Sequence, residues 1–469
     1  MKNLLTLSLI LVSGGPPARA ADLPDPAGLT SRAVERRAVE AANWGIPVVN
    51  FDRMFQAFKE KGGDFNQIVY WSGLFDWKNQ TLTPNPDTIY FKPFYDTKEV
   101  GPVVVEIPPA GDNGSITGTL MDVWQAALED VGPAGVDKGA GGKYLVLPPG
   151  YSQTPPEGYI VLPSSTYEGF GLLRSTIKGS GPDAVKRAVD YGLKIRLYPL
   201  SQASNPPATR FVDVLGELFD STIRYDLSFF QSLDRVVQYE PWLPRDKVMV
   251  DMLKTIGIEK GKAFKPDEAM RAALEAAVKE ARDWFDLRYE TSFEPYFSDA
   301  HWALPASPEL LKAASTFYET PDSYPVDARG VTDYWAFSTV KHLGEGQFYL
   351  MATKDRDGAP LDGGLTYKLT VPAHPPVSQY WSAVVYDRAT HALIRDVASP
   401  SKSSQTPGLR ANSNGSVDLY FGPEAPSGKE PNWTPTKPGG RFEVLFRLYG
   451  PQKPLIDKSW VLPDLEKTR

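Results

Sequence analysis

The 469-residue chain contains no cysteine and only four histidines. Without cysteine, disulfides, thiolate nucleophiles, iron–sulfur clusters and cysteine-ligated zinc sites are excluded, so the core alone must hold the fold. No two histidines have the spacing of a helical His-x-x-x-His zinc pair, since they are His301, His342, His374 and His391. We therefore expect no cofactor and no metal, and leave open a metal held by His374 with distant carboxylates.

Several sequence signatures are also missing. No Gly-x-Ser-x-Gly segment is present, which argues against the serine site of an α/β-hydrolase. The glycine-rich segment 139–143 has neither the spacing nor the Ser/Thr of a phosphate-binding P-loop. Net charge is -7 and no Lys/Arg run occurs, so we predict no nucleic-acid partner. No stretch after the N-terminus approaches the roughly 20 apolar residues of a membrane-spanning helix.

The N-terminus has the pattern of a secretion signal. Lys2 is followed by an apolar run over 4–12, and Ala18-Arg19-Ala20 supplies a small-x-small cleavage site. We predict a cleaved signal peptide over 1–20 and a periplasmic or secreted protein.

Proline (43 residues) and glycine (39) divide much of the chain into short apolar runs. Runs that start at Gly101, Gly142 and Gly158 are typical of sandwich strands. An earlier helix is predicted over 32–43, with Gly45 and Pro47 ending it.

Helical spacing dominates the middle of the chain, where an apolar stripe covers 270–285. Strands return after about residue 332, and 380–386 is apolar on both faces, as in a central strand. We predict a multi-domain, β-rich fold with an N-terminal helix plus β-sandwich (21–205), an all-α middle domain (206–315) and a C-terminal jelly-roll β-sandwich (316–469).

Two sets of segments resemble a known bacterial family. TPNPDTIY at 83–90 and GPVVVEIP at 101–108 resemble the first of two tandem domains of unknown function, numbered 1254 and 1214. YWSAVVYD at 380–387, NGSVDLYF at 414–421 and RLYGP at 447–451 resemble the second. The resemblance implies an immunoglobulin-like β domain, a helical domain and a jelly-roll C-terminal domain. It implies no catalytic residue.

Two aspartates are the candidate catalytic pair. The prolines of 83–90 make a stiff corner that presents Asp87 just before an aromatic strand. Alternation in a strand puts Asp122 and Trp124 on one face. If Asp87 and Asp122 meet in a cleft lined by Tyr90 and Trp124, they can act as general acid and base on a sugar or flat substrate. The alternative is a turn-capping aspartate and a core tryptophan.

Two further residues complete the predicted ligand site. Arg174 follows a strand-like segment and is assigned to an anionic ligand, and Trp381 is assigned to substrate binding. We expect an exported hydrolase or lyase without an organic cofactor, its cleft near the N-terminal β domain; the alternative is a non-catalytic protein that binds a small molecule or glycan. Whether it is an enzyme stays open, as does a homo-oligomer formed through exposed strand edges.

Overall fold

The computed structural model describes residues 26–112, 114–318, 320, 323–336, 341 and 346–468. The predicted signal peptide over 1–20 lies outside these residues, as does His342. Within the described stretches, no helix is long and apolar enough to cross a membrane.

The described residues form a multi-domain, β-rich mixed fold. Its helices are α1 (Pro26–Glu60), α2 (Pro182–Gly192), α3 (Leu227–Tyr239), α4 (Lys247–Met252), α5 (Glu268–Thr291), α6 (Pro308–Ser315), α7 (Val326–Trp335) and α8 (Lys453–Ile456). Its N-terminal strands are β1 (Gln67–Tyr70), β2 (Asn79–Gln80), β3 (Ile89–Asp96), β4 (Val103–Ile107), β5 (Ile116–Asp122), β6 (Ala127–Val131), β7 (Gly142–Leu147), β8 (Ile160–Pro163), β9 (Glu168–Ser175), β10 (Arg196–Pro199), β11 (Phe211–Asp213) and β12 (Phe219–Asp220). Its C-terminal strands are β13 (Gln347–Ala352), β14 (Tyr367–Val371), β15 (Trp381–Asp387), β16 (Ser401–Ser403), β17 (Val417–Gly422), β18 (Trp433–Pro435), β19 (Phe442–Tyr449) and β20 (Glu466–Lys467).

The N-terminal β domain consists of two sheets around one core. The six-stranded sheet has the order β11-β1-β3-β9-β5-β6, and the four-stranded sheet has the order β10-β4-β7-β8. Phe91 and Leu173 of the first sheet share a buried cluster with Val105 and Tyr144 of the second. The other face of the six-stranded sheet packs on α1 in part, and that face also carries the site described below.

The C-terminal domain also pairs two sheets, β13-β19-β15-β16 and β18-β17-β14-β20. Alternate residues of β19, such as Val444 and Phe446, fill the space between these sheets. The intervening residues of β19 are buried as well. One of them, Leu445, belongs to the buried cluster that contains the helices. Both faces of β19 are therefore covered, and one of them is an interdomain surface.

The helices form a layer that combines α1 and α7 with α3 and α5 from the segment 206–315. Helix α1 packs against α3, α5 and α7, so the N-terminal segment is part of the helical core. The helix also continues past Gly45 and Pro47, where an end was predicted. A Cβ on Gly45 would lie 2.9 Å from Leu233 Cδ1, so glycine permits close approach of α3. All residues from 41 to 55 are buried, and this packing offsets the roughly 3 kcal/mol cost of proline within a helix.

Candidate functional site

The proline corner 83–90 lies between the N-terminal β domain and the C-terminal sandwich. Thr83 has φ 35°, an outlying conformation for a β-branched residue. Its amide donates to the carbonyl of His391 at 2.6 Å, and its hydroxyl donates to the carbonyl of Trp335 at 3.2 Å. Surrounding structure holds this strained corner in place, as is common near functional sites.

Residues of β15 and β19 bind the corner from the other side. Arg447 donates through Nη2 to the carbonyl of Thr83 at 2.8 Å and through Nη1 to the hydroxyl of Tyr386. Tyr386 donates to the carbonyl of Pro84 at 2.7 Å, and Asn85 Nδ2 donates to the hydroxyl of Tyr449 at 2.6 Å. The segments that resemble the two different domains therefore interlock at one joint.

A cavity of about 1030 Å³ opens beside this joint. Its floor is one face of the six-stranded sheet, where the register sets Tyr90 of β3 opposite Arg174 of β9, and Arg174 opposite Thr117 of β5. Because alternate residues of a strand share a face, Lys92 and Leu172 belong to the same floor. All five residues line the cavity, whose volume is at the upper end of the range for small-molecule sites.

Tyrosines of the C-terminal domain form the opposite wall. The rings of Tyr380 and Tyr449 are stacked with centres 4.3 Å apart, and Tyr349 meets Tyr449 edge-on at 6.5 Å. The guanidinium of Arg447 lies 4.9 Å from the centre of the Tyr349 ring. The wall thus offers flat aromatic faces beside a buried positive charge.

Arg174 and Arg447 carry the positive charge of the cavity. Arg174 Nε donates to the hydroxyl of Tyr90 at 3.3 Å, and Arg447 is only 3 % exposed. Each guanidinium acts electrostatically on the same three phenols, those of Tyr90, Tyr349 and Tyr449. Among the residues that the structure describes, neither arginine has a carboxylate within 4.0 Å, and Arg447 Nε has no hydrogen-bond partner.

Asp87 supplies a titratable group at the edge of the cavity. Its Oδ1 accepts from Ser401 Oγ at 3.0 Å, while its buried Oδ2 has no partner within the described part of the chain. Burial raises the pKa of Asp87 to about 6, against the opposing effects of the Ser401 hydrogen bond, Arg447 and Lys402. A carboxyl with this pKa can exchange a proton near neutral pH.

Tyr90 is held in a field of positive charge. Burial by itself raises the pKa of a phenol, but here Arg174 and Arg447 outweigh burial and the pKa of Tyr90 is lowered. Its oxygen also accepts from the amide of Asn85 at 3.1 Å. Tyr90 therefore favours negative charge on its oxygen more than an ordinary tyrosine does.

The structure does not bring Asp122 to Asp87. Tyr90 pairs with Arg174 on β9, whereas Asp122 pairs with Gly169, five residues further along the same strand. At about 3.3 Å per residue this corresponds to roughly 17 Å. Asp122 does not line the cavity; it accepts from the amide of Ala126 at 2.9 Å and so caps a tight turn.

The two tryptophans assigned to substrate binding are core residues. Trp124 packs against Trp44 with ring centres 4.8 Å apart, outside the cavity. Trp381 is 4 % exposed and stacks on Phe446 within the C-terminal sandwich. Its neighbour Tyr380, directly before the strand, lines the cavity.

His374 lies in an exposed loop with φ 54°. Across the described ranges, no group of three or more His, Asp or Glu side chains is placed to hold a metal ion. Of the three histidines that the structure describes, His391 is the buried one, and its Nδ1 lies 2.8 Å from Glu443 Oε1. The structure gives the proposed His374 site no carboxylate partner among those residues.

Sequence reasoning missed several cavity residues, above all Lys92, Arg447, Tyr349 and Tyr449. One signal was available, since Lys92 and Arg447 are each the one cation within a largely apolar strand. A cation inside such a strand needs a compensating environment, which makes it a candidate for function.

Comparison with known families agrees with the two-part architecture. Residues 65–199 match the model of a protein of unknown function (DUF1254), and residues 346–453 match that of a second protein of unknown function (DUF1214). The chain belongs to the family with these two domains in tandem. No curated protein matches the sequence.

Two solved structures are similar to this tandem DUF1254–DUF1214 chain. The VPA0106 protein from Vibrio parahaemolyticus has a TM-score of 0.58 at 16% identity, covering 93% of this chain and 100% of its own. An uncharacterized protein from Burkholderia cenocepacia has a TM-score of 0.41 at 12% identity, covering 94% of this chain and 95% of its own. The first likeness concerns the fold alone.

Proposed function

We propose that this protein binds a small organic anion in the interdomain cavity. The observation that carries the proposal is the pair Arg174 and Arg447, one from each β domain. Both guanidinium groups interact electrostatically with the same three tyrosines, and neither has a carboxylate partner among the described residues. A buried guanidinium without a counter-charge is costly, and an anionic ligand removes that cost. Arginine also binds carboxylates and phosphates in a bidentate manner.

The cavity suits a ligand that is partly flat and apolar. Stacked Tyr380 and Tyr449 supply aromatic faces, and Leu172 adds an apolar floor residue. These features support an aromatic or unsaturated acid, and they equally support a sugar-like ligand that bears an acidic group.

We propose further that the bound anion is a substrate and that the protein is a hydrolase or a lyase. Asp87 is its acid–base group, because its Oδ2 is unpaired within the described residues and its pKa is about 6. Asp122 is not retained as the partner, since it pairs with β9 five residues from the position opposite Tyr90 and does not line the cavity. The non-catalytic alternative keeps the same binding site without proton transfer.

Calorimetric titration with pyruvate, succinate, benzoate and inorganic phosphate tests the binding proposal. We expect at least one of these anions to bind, and Arg174→Gln to weaken its binding at least tenfold, the loss of one charge-assisted hydrogen bond. The matched control is Arg196→Gln, because Arg196 forms an exposed ion pair with Glu106 at 3.8 Å, away from the cavity. Equal weakening by both variants, or no binding of any of the four anions, would contradict the proposal.

We also propose the finer features that the sequence predicted: an immunoglobulin-like topology for the N-terminal sheets, a jelly roll for the C-terminal sheets, and export through the signal peptide over 1–20. The two-sheet cores of both β domains support the first two. N-terminal sequencing of the mature protein from a periplasmic fraction tests export, which predicts a start at Ala21.

A further inference from the structure

Lys92 is a buried lysine in the cavity that anion binding does not explain. It stands two residues after Tyr90 on β3, on the face that forms the cavity floor, and is 2 % exposed. Its Nζ lies 5.9 Å from the centre of the Tyr90 ring and 5.4 Å from that of Trp71. Met54 Sδ is 3.5 Å from the same nitrogen. The amine is therefore held among aromatic and thioether groups at the base of the cavity.

Removal from water disfavours the ammonium form of Lys92. Burial is the main cause and the nearby charge of Arg174 the second, and together they lower the pKa of Lys92 to about 7. At neutral pH a large fraction of Lys92 then carries a free lone pair, which is the nucleophilic state of a lysine. An ordinary lysine with a pKa near 10.4 is almost entirely protonated at that pH.

We infer that Lys92 is a nucleophile that forms an imine with the carbonyl carbon of an oxo acid bound through Arg174. The inference rests on the proposed anion site and names its substrate class. Lys92 and Arg174 lie on adjacent strands of the cavity floor, so one small molecule can present a carboxylate to the arginine and a carbonyl to the amine.

The step balances without any further reactant. The Lys92 nitrogen adds to the carbonyl carbon to give a carbinolamine, and the nitrogen's proton moves to the oxygen. The hydroxyl group then leaves with the second hydrogen of the nitrogen as water, and a carbon–nitrogen double bond to Lys92 remains. The imine draws electrons from the adjacent carbon, which serves the lyase form of the proposed function.

Reductive trapping tests the inference. The purified protein is incubated with pyruvate and sodium cyanoborohydride, which reduces the imine to a stable secondary amine, and intact mass and peptide mapping locate the adduct. We expect one dominant adduct on Lys92, absent from Lys92→Arg and Lys92→Met. Thermal melting of both variants checks folding, and Lys92→Met should melt no lower than the parent because it removes a buried amine.

Two controls make the result specific. Lys402 is also buried with a lowered pKa but does not line this cavity, so Lys402→Arg should leave the Lys92 adduct unchanged. Arg174→Gln should reduce the yield with pyruvate at least tenfold, and the yield with the uncharged carbonyl butanone much less, since that yield falls only with the fraction of free Lys92 amine. Equal pyruvate yields with and without Arg174 would overturn the oxo-acid assignment.

Failure of the inference is distinguishable from failure of the proposed function. If calorimetry shows that pyruvate binds in an Arg174-dependent manner but trapping labels surface lysines alone, the imine inference is overturned and the anion site stands. If pyruvate does not bind and Lys92 is not labelled, the oxo-acid inference is overturned, and succinate, benzoate and phosphate still test the site.

Discussion

Two buried arginines of the C-terminal domain have opposite environments. Arg388 is paired with Asp286 at 2.6 Å, Glu290 at 2.9 Å and Glu443 at 3.9 Å. Arg447 is equally buried, yet its described partners are a carbonyl, a phenol and aromatic ring faces. Both lie close to a tyrosine ring, so the carboxylates make the difference.

The difference separates a structural charge from a functional one. Arg388 is neutralised by its own protein and joins α5 to the C-terminal sandwich through Asp286 and Glu290. The hydrogen bonds of Arg447 go to neutral groups, and no carboxylate of the described residues lies within 4.0 Å of it. A charge held in this way favours an incoming anion, because the position of the guanidinium is already set.

Removing each arginine in turn gives the largest expected effect. Arg388→Met leaves three carboxylates without their cation, and we expect a loss of about 3–5 kcal/mol in the free energy of unfolding. Arg447→Met loses hydrogen bonds but also an uncompensated charge, and we expect a loss of about 1–2 kcal/mol together with loss of anion binding. Urea unfolding, followed by fluorescence, measures the free energy of unfolding of both variants. Comparable losses for the two variants would make Arg447 a structural residue as well.

Asp87→Asn probes the pH dependence of the same joint. The folded-state pKa of Asp87, about 6, lies above the ordinary value near 3.9. The contribution of Asp87 to the free energy of unfolding is therefore fully present below about pH 4 and is lost as the pH rises through 6. We expect Asp87→Asn to match the parent in stability at pH 4 and to exceed it by up to about 3 kcal/mol at pH 7.5. Any catalytic turnover should fall at least about 100-fold. A stability difference that does not change with pH would contradict the raised pKa.

Asp122→Asn gives the smallest expected effect. Asparagine retains an oxygen that can accept from the amide of Ala126, so we expect a change within about 1 kcal/mol. Anion affinity should be unchanged, because Asp122 lies outside the cavity. A tenfold loss of affinity would restore Asp122 as a site residue.

The sequence was informative about strands and their faces. Alternation in 442–449 correctly separates Phe446, which enters the sandwich core, from Arg447, which does not. The proline corner and Arg174 were identified as candidates, and the structure places both at the cavity. The alternation of side chains between the two faces of a strand is a local property of the backbone, so it can be predicted from the sequence without knowing the fold.

Pairings across the chain could not be predicted in this way. Asp87 precedes the first residue of β3, which pairs with Ser175 of β9, whereas Asp122 pairs with Gly169 near the other end of β9. Trp381 and Tyr380 are neighbours whose roles depend on which face of β15 meets the other domain. Helix α1 crosses Pro47 because the helices packed around it outweigh the local preference.

The sequence by itself determined the family, the absence of thiol chemistry, and the alternating strands that carry Tyr90, Arg174 and Arg447. Only the tertiary structure decided that these residues share a cavity. Asn85 and Tyr449, which close the joint beside it, are 364 residues apart in the chain. Local sterics set which face of a strand a residue occupies, whereas burial of the domain surfaces against each other sets which faces meet.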